Sequence, residues 1–133
     1  MQKVVFNAHY LTYIDTALAE YWREIGLPYP EGYVDRYAAD LFLRKSTVEY
    51  LGSARYDDRL SVLSRVASLG RSSMTMRFEV WRDEPAHPSP LVTADLVYVN
   101  VSVVTARPEP LPEDLRSRVR AYERLTIVPH EGS

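Results

Sequence analysis

The chain is organised around Val4-Val5-Phe6-Asn7-Ala8-His9-Tyr10-Leu11-Thr12-Tyr13. An apolar run breaks there at small polar residues and then becomes a helix. From Leu11 onward the apolar side chains fall at Leu11, Ile14, Leu18, Tyr21, Trp22 and Ile25. That three-and-four spacing makes one continuous helical stripe. It predicts a helix from about His9 to about Ile25, stopped by Gly26 with Pro28 and Pro30 just beyond. Glu20, Arg23 and Glu24 give it a wet outer face. Asn7 and His9 stand just before the stripe, where side chains can cap free backbone N–H groups and the helix dipole adds partial positive charge. A buried helix start of this kind suits an anion or an oxyanion.

A stripe this long needs a curved apolar partner, and the chain downstream supplies alternating segments. Tyr29 to Tyr37 carries Pro30, Gly32 and three tyrosines, and is expected to be an irregular aromatic-rich loop crossing to a sheet. Strands are expected over Leu41–Tyr50, with Arg44 and Lys45 in its middle, and over Leu60–Leu69. Gly70-Arg71-Ser72 makes a tight hairpin connection to the clearest strand. In it Met74, Met76, Phe78 and Val80 point one way and Thr75, Arg77 and Glu79 the other. Leu91–Val104 is the last strand, where Val97, Val99, Val101 and Val103 alternate with Tyr98, Asn100 and Ser102. Four strands with no helix between them imply an antiparallel meander. Arg107-Pro108-Glu109-Pro110-Leu111-Pro112 turns the chain off the sheet, because proline fits neither strand interior nor helix interior. A short amphipathic helix follows from Glu113 to about Arg124, acidic first and basic later, and residues 125–133 are expected to be a loose tail.

Composition narrows the function classes. A chain of 133 residues is expected to be one domain, and 46% hydrophobic with 26% charged residues marks it as globular. Sixteen basic against eighteen acidic residues leave a net charge of -2, which argues against nucleic acid as the main partner. The absence of cysteine excludes a disulfide framework, a thiolate zinc site and a cysteine nucleophile. There is no basic-then-apolar leader and no long uncharged span, so a cytoplasmic protein without membrane partners is expected. Ten tyrosines, beside two tryptophans and three phenylalanines, suit half-buried walls where a ring packs and a hydroxyl stays bonded. His87 and His130 have no partners at metal-ligand spacing, and no phosphate-cradling glycine loop or serine-histidine-acid arrangement is present.

One long helix followed by a four-stranded antiparallel sheet able to curl round it is the α+β arrangement called the hotdog fold, here with an incomplete first strand. The run Val4 to Asp15 resembles the start of the acyl-CoA thioesterases of the 4-hydroxybenzoyl-CoA thioesterase type. In that family an aspartate and a short variable run precede two apolar residues, an aromatic, Asn or His, a small residue and a helix start with spaced aromatics. Gly70-Arg71-Ser72-Ser73 resembles the family's glycine and serine pair before a strand, and Arg107 to Leu115 is similar to its proline-rich exit from the last strand. The resemblance implies hydrolysis of an acyl-CoA or acyl-carrier thioester by a homodimer or dimer of dimers. It implies no cofactor, since coenzyme A belongs to the substrate, and no metal. A non-catalytic acyl-CoA or acyl-carrier binding protein of the same fold is the alternative.

Laid on this sequence, the family's catalytic aspartate falls one position before Met1. Three accounts stay open: an internal Met1, a lost acid replaced by another group, or a binding module. A weakened site is expected for the 133 residues. The resemblance carries onto Asn7 as holder of the thioester oxygen, and onto Asp15 as the family's helix carboxylate, placed to position water. His9 is the nearby group able to act as a base near neutral pH. Ala8 and Tyr10 complete the helix start, while Arg44, Lys45, Arg55, Arg71, Arg77, Ser72 and Ser73 are candidate contacts for the carrier and its phosphates.

Overall fold

A computed structural model describes residues 7–52, 60–82 and 90–126, with side chains described from residue 13 to residue 123 within those stretches. The apolar stripe folds as helix α1 (Asn7–Glu24) and buries Ile14, Ala17, Tyr21 and Trp22, with Ile25 just past its end. Leu18 is only half-buried. Gly26 ends the helix with φ +82°, and the Leu27 N–H bonds back to the Trp22 carbonyl at 2.9 Å. This is a Schellman closure, which needs a residue without a Cβ at the left-handed position.

The segment expected to be an irregular loop holds instead a short helix, α2 (Glu31–Tyr37). The Pro30 carbonyl accepts from the Tyr33 and Val34 amides at 3.1 and 2.8 Å. Tyr29, Tyr33 and Tyr37 are spaced by four, so their rings stack in a row, with centroids 5.8 and 4.9 Å apart, and Trp22 joins them at 5.4 Å from Tyr29. The tyrosines are therefore packing residues between α1, α2 and the sheet. Ala38, in the left-handed region at φ 52°, then turns the chain into the first strand.

The strands are β1 (Ala39–Tyr50), β2 (Leu60–Leu69), β3 (Ser73–Arg82) and β4 (Pro90–Ser102), all antiparallel in the order β1-β4-β3-β2. The expected meander holds for β2, β3 and β4 but not for β1, which lies beyond β4. The register explains why: α2 delivers the chain beside the end of β4, where Ala39 pairs with Ser102, and β3 already occupies the other edge of β4. Met74, Met76, Phe78 and Val80 face inward and are buried, and Thr75, Arg77, Glu79 and Trp81 face outward. On β4 the inward row contains Ala94, Leu96, Tyr98 and Asn100, so the valines at 97, 99 and 101 lie on the outer face. Asn100 is fully buried; its Oδ1 accepts from the Tyr33 hydroxyl at 2.7 Å and its Nδ2 donates to the Pro110 carbonyl at 3.1 Å. A polar residue is stable there because each of these buried groups finds a partner.

Helix α3 (Glu113–Thr126) closes the end of the core with Leu115 and Val119, beside Leu111 of the proline-rich segment. The last helix thus includes the first two residues of the expected tail, and residues 127–133 lie outside the described residues. Arg118 Nη1 donates to the Ile25 carbonyl at 2.9 Å, and the Glu123 carboxylate accepts from the Tyr21 hydroxyl and from the Val66 amide. That last contact reports on an edge. The Val66 N–H points away from β3, and ladder alternation sends the Val62 and Ser64 amides the same way. Among the described residues nothing pairs with β2 on this side, and a groove of about 580 Å³ runs along it, lined by Ala17, Glu20, Tyr21, Glu24, Val62 and Ser64. The expected first strand, ending near Phe6, falls on residues outside those described.

Two substitutions test these constraints. Asn100→Ala strands the Tyr33 hydroxyl in the core and is expected to cost about 1–3 kcal/mol in urea unfolding. Gly26→Ala places a Cβ at a strained φ and 2.6 Å from Arg118 Nη1, with an expected loss of roughly 1–3 kcal/mol by the same measurement.

Candidate active site

Helix α1 has a fixed direction across the sheet. Trp22 packs on Tyr33, which binds Asn100, and Tyr21 meets Val66 through Glu123, so the C-terminal half of α1 lies over the end of the sheet where β3 begins. Ala17 lines the groove with Val62, and the helix start lies further toward the opposite end, that of Val80 and Val92. Asn7, Ala8, His9 and Tyr10 form the first turn of α1. In any helix the amides of the first turn lack an acceptor within that helix, which is what makes such a turn a candidate donor site. His9 lies inside the helix rather than ahead of it, which removes it as a cap. The side chains of these four residues are outside the described set.

Asp15 is exposed on α1, eight residues after Asn7 and so about 12 Å along the axis. Its charge reaches Tyr98, whose hydroxyl is pushed above the ordinary tyrosine value first by burial and then by Asp15. Sequence reasoning passed over Tyr98. The signal was its place in the alternating row that also holds the inward-facing Leu96 and Asn100.

The other candidates lie elsewhere. Arg44 and Lys45 are exposed on the free edge strand β1, at a register shift between Leu43 and Lys45. Arg71, Ser72 and Ser73 form the β2–β3 turn at the end of the sheet opposite the helix start. The Ser72 carbonyl accepts from the Asn100 amide, and the Ser73 carbonyl from Gly70, both at 2.8 Å. Arg116 braces this turn through the Gly70 and Arg71 carbonyls, which leaves the exposed Arg71 side chain on a rigid base. Arg77, also considered a phosphate contact, is bound to Asp95 at 3.0 Å and to Glu79 at 3.2 Å on the outer face. Arg55, His87 and His130 lie outside the described residues. One protomer therefore brings Asn7 to Tyr10 together and Arg71 to Ser73 together, but keeps the two groups apart.

With this geometry, comparison with known proteins is direct. Residues 2–89 match the family model described as Thioesterase superfamily. The chain belongs to that superfamily. No curated protein matches its sequence. Among solved structures, a thioesterase from Thermus thermophilus complexed with coenzyme A and Zn is 28% identical, with TM-score 0.72 over 96% of this chain and 85% of the other. A Staphylococcus aureus protein in complex with CoA superposes with TM-score 0.79 at 14% identity, covering 98% of this chain and 79% of that one. The 4-hydroxybenzoyl-CoA thioesterase from Pseudomonas sp. strain CBS-3 gives TM-score 0.73 at 22% identity, covering 87% and 86%. The α+β hotdog fold is thus established for this superfamily member. None of its described helices is long and apolar enough to cross a membrane.

An ionic cluster joins α2 to α3. Asp114 Oδ2 accepts from the Tyr37 hydroxyl and sits 3.1 Å from Arg118 Nε and 3.2 Å from Arg36 Nε. The Tyr37 bond, then Arg118, holds the Asp114 carboxyl below the usual aspartate range, and burial followed by Asp114 pushes Tyr37 up to about 12. A lowered folded-state value means that the unfolded chain takes up the proton first. The stabilisation is then complete above the ordinary aspartate pKa and is lost as pH falls through the lowered folded value. The side chain of Asp114 is 42% exposed, so solvent screening keeps the effect modest. Urea midpoints measured from neutral pH down through that window should fall more for the wild type than for Asp114→Asn.

Proposed function

We propose that this thioesterase superfamily member is a cytoplasmic acyl-CoA thioesterase working as a homodimer, with each site shared between two copies. What supports the reading is the run of α1: its C-terminal half lies over the end of the sheet where β3 begins, which carries its first turn toward the other end, and the amides of a first turn lack acceptors in their own helix. A thioester carbonyl laid there receives hydrogen bonds from the Asn7–His9 amides and the Asn7 side chain. Water adds to the carbonyl carbon with loss of a proton to a base, the oxyanion forms against those donors, and the C–S bond breaks as the thiolate leaves and is protonated. His9 is one candidate base within this chain. An acidic residue directly ahead of Met1, where the family has its aspartate, is the other, and a strand leading to it fits the unpaired edge and groove along β2.

The split between the two candidate groups supports the dimer. β1 is an exposed edge with Phe42 and Leu43 each 55% accessible, and antiparallel pairing with its twin hides it. A two-fold axis there reverses the strand direction, so the Arg71–Ser73 turn of one copy comes to the same end as the α1 start of the other. Five strand spacings separate β3 from its twin, about 24 Å on a flat sheet and less on a curved one. An extended carrier arm such as that of coenzyme A, with its phosphates near Arg71, suits such a span. Further pairing into a dimer of dimers is compatible with the free outer face, and an acyl-carrier thioester has the same arm.

The test is hydrolysis of an acyl-CoA panel by the chain from Met1 and by one extended with aspartate immediately before it. The extended chain is expected to be faster by roughly 10²–10⁴, and Asn7→Ala to lower kcat by about 10²–10³. Tight binding of coenzyme A esters with no turnover by either chain would replace this reading with the non-catalytic binding protein.

A further inference from the structure

Resting on the thioesterase reading, we infer that Arg116 is a positioning residue for the carrier end of the substrate: it fixes the backbone on both sides of Arg71, aims that guanidinium at the phosphates of coenzyme A, and so sets carrier affinity rather than the rate of hydrolysis. Arg71 stands between two peptide units, one carrying the Gly70 carbonyl and the other its own. Each unit is planar and rigid, so holding both carbonyls holds φ and ψ of Arg71 and with them the direction of its side chain. Arg116 Nη2 donates to both carbonyls. The Leu111 amide adds a second bond to the Arg71 carbonyl at 2.8 Å, the Ser72 carbonyl accepts from the Asn100 amide, and the Ser73 carbonyl from the Gly70 amide. Every carbonyl from Gly70 to Ser73 is thus bonded, through α3, the proline-rich segment, β4 and the turn itself.

The side chain above this fixed backbone is left free. Arg36, Arg77, Arg118 and Arg120 each meet a carboxylate, whereas Arg71 is exposed and no acid among the described residues is paired with it. Arg116 is itself well anchored, because Leu115 and Val119 on either side of it along α3 are buried and Arg118 is bonded to the Ile25 carbonyl. A rigid path therefore runs from the core through α3 to the root of Arg71. Among the described contacts the Gly70 carbonyl has no other partner than Arg116. Without that guanidinium the first peptide unit turns more freely, and ordering Arg71 becomes a cost of binding instead of a property of the fold. The thioester is held a carrier arm away, at the helix start of the other copy, so the loss falls on affinity and not on the chemical step.

Calorimetry with coenzyme A reads this without turnover. Arg116→Met keeps the apolar stem, removes the donors and is expected to weaken coenzyme A roughly three- to ten-fold. Arg71→Ala should weaken it by roughly ten-fold or more. Adding Arg116→Met to Arg71→Ala should change nothing further, since a positioning residue acts only through the group it positions. Arg116→Lys, whose ammonium can reach both carbonyls from one nitrogen, should recover most of the loss. In hydrolysis Arg116→Met should raise KM for an acyl-CoA with kcat unchanged, and leave KM unchanged for the same acyl group on pantetheine, which lacks the phosphates; the pantetheine thioester also checks folding. Additive losses in the double variant, which place Arg116 on the phosphates itself, an unchanged affinity in Arg116→Met, or an equal rise in KM for both thioesters overturns the inference and leaves hydrolysis intact. The expected binding pattern with no hydrolysis of any acyl-CoA sinks the enzyme and keeps Arg116 in its role, and no binding of coenzyme A by the wild type sinks both.

Discussion

Burial of one face of α1 against the inner surface of the sheet is the interaction on which the rest depends. Ile14, Ala17, Tyr21 and Trp22 meet Met74, Met76 and Phe78 in a single cluster. At about 25 cal/mol per Å² removed from water, contacts of this kind dominate the favourable side of folding. Because α1 lies across the sheet, its first turn is carried to one end and its last to the other. The direction of a single helix thereby decides where donors are available and where they are not.

The two ends of α1 are treated differently. The C-terminal end is closed by its own glycine turn, by Arg118 on the Ile25 carbonyl and by the aromatic row of α2, so that its backbone groups are bonded within the protomer. Helix α3 does much of this work. Its residues reach α1, α2, the β2 edge and the β2–β3 turn through Arg118, Asp114, Glu123 and Arg116 respectively. Charged side chains are used here mostly to satisfy backbone carbonyls and amides, a job with a larger effect than exposed ion pairs. An N-terminal turn, by contrast, has amides with no acceptor in its own helix.

Polarity on β4 runs opposite to a simple reading of its alternation. The valine row at 97, 99 and 101 covers the outside of the sheet, while Tyr98 and Asn100 point in. Parity alone fixes that two rows face opposite ways; which row faces in depends on the helices above. Tyr33 brings a hydroxyl that the inward Asn100 accepts, and Tyr98 packs half-buried against the core. The same logic turned residues 29 to 37 from an expected loop into a packed helix: the four-residue spacing of the tyrosines was visible in the chain, but Pro30 and Gly32 pointed to a loop.

By itself the sequence determined every element but α2, and the family. The stripe of α1, the limits of β2 and the alternation of β3 follow from side-chain periodicity, which is local, and the motif around Asn7 to Asp15 carried the resemblance to thioesterases. Tertiary structure alone decided that β1 lies beyond β4, that Asn7 and Arg71 stand at opposite ends of a protomer, that Arg77 is spent on Asp95 and Glu79, and that Tyr98 faces inward. Those facts depend on which distant residues share an edge or a face. Periodicity gives each segment two faces and two edges without saying what will cover them, and only packing of the whole chain makes that choice.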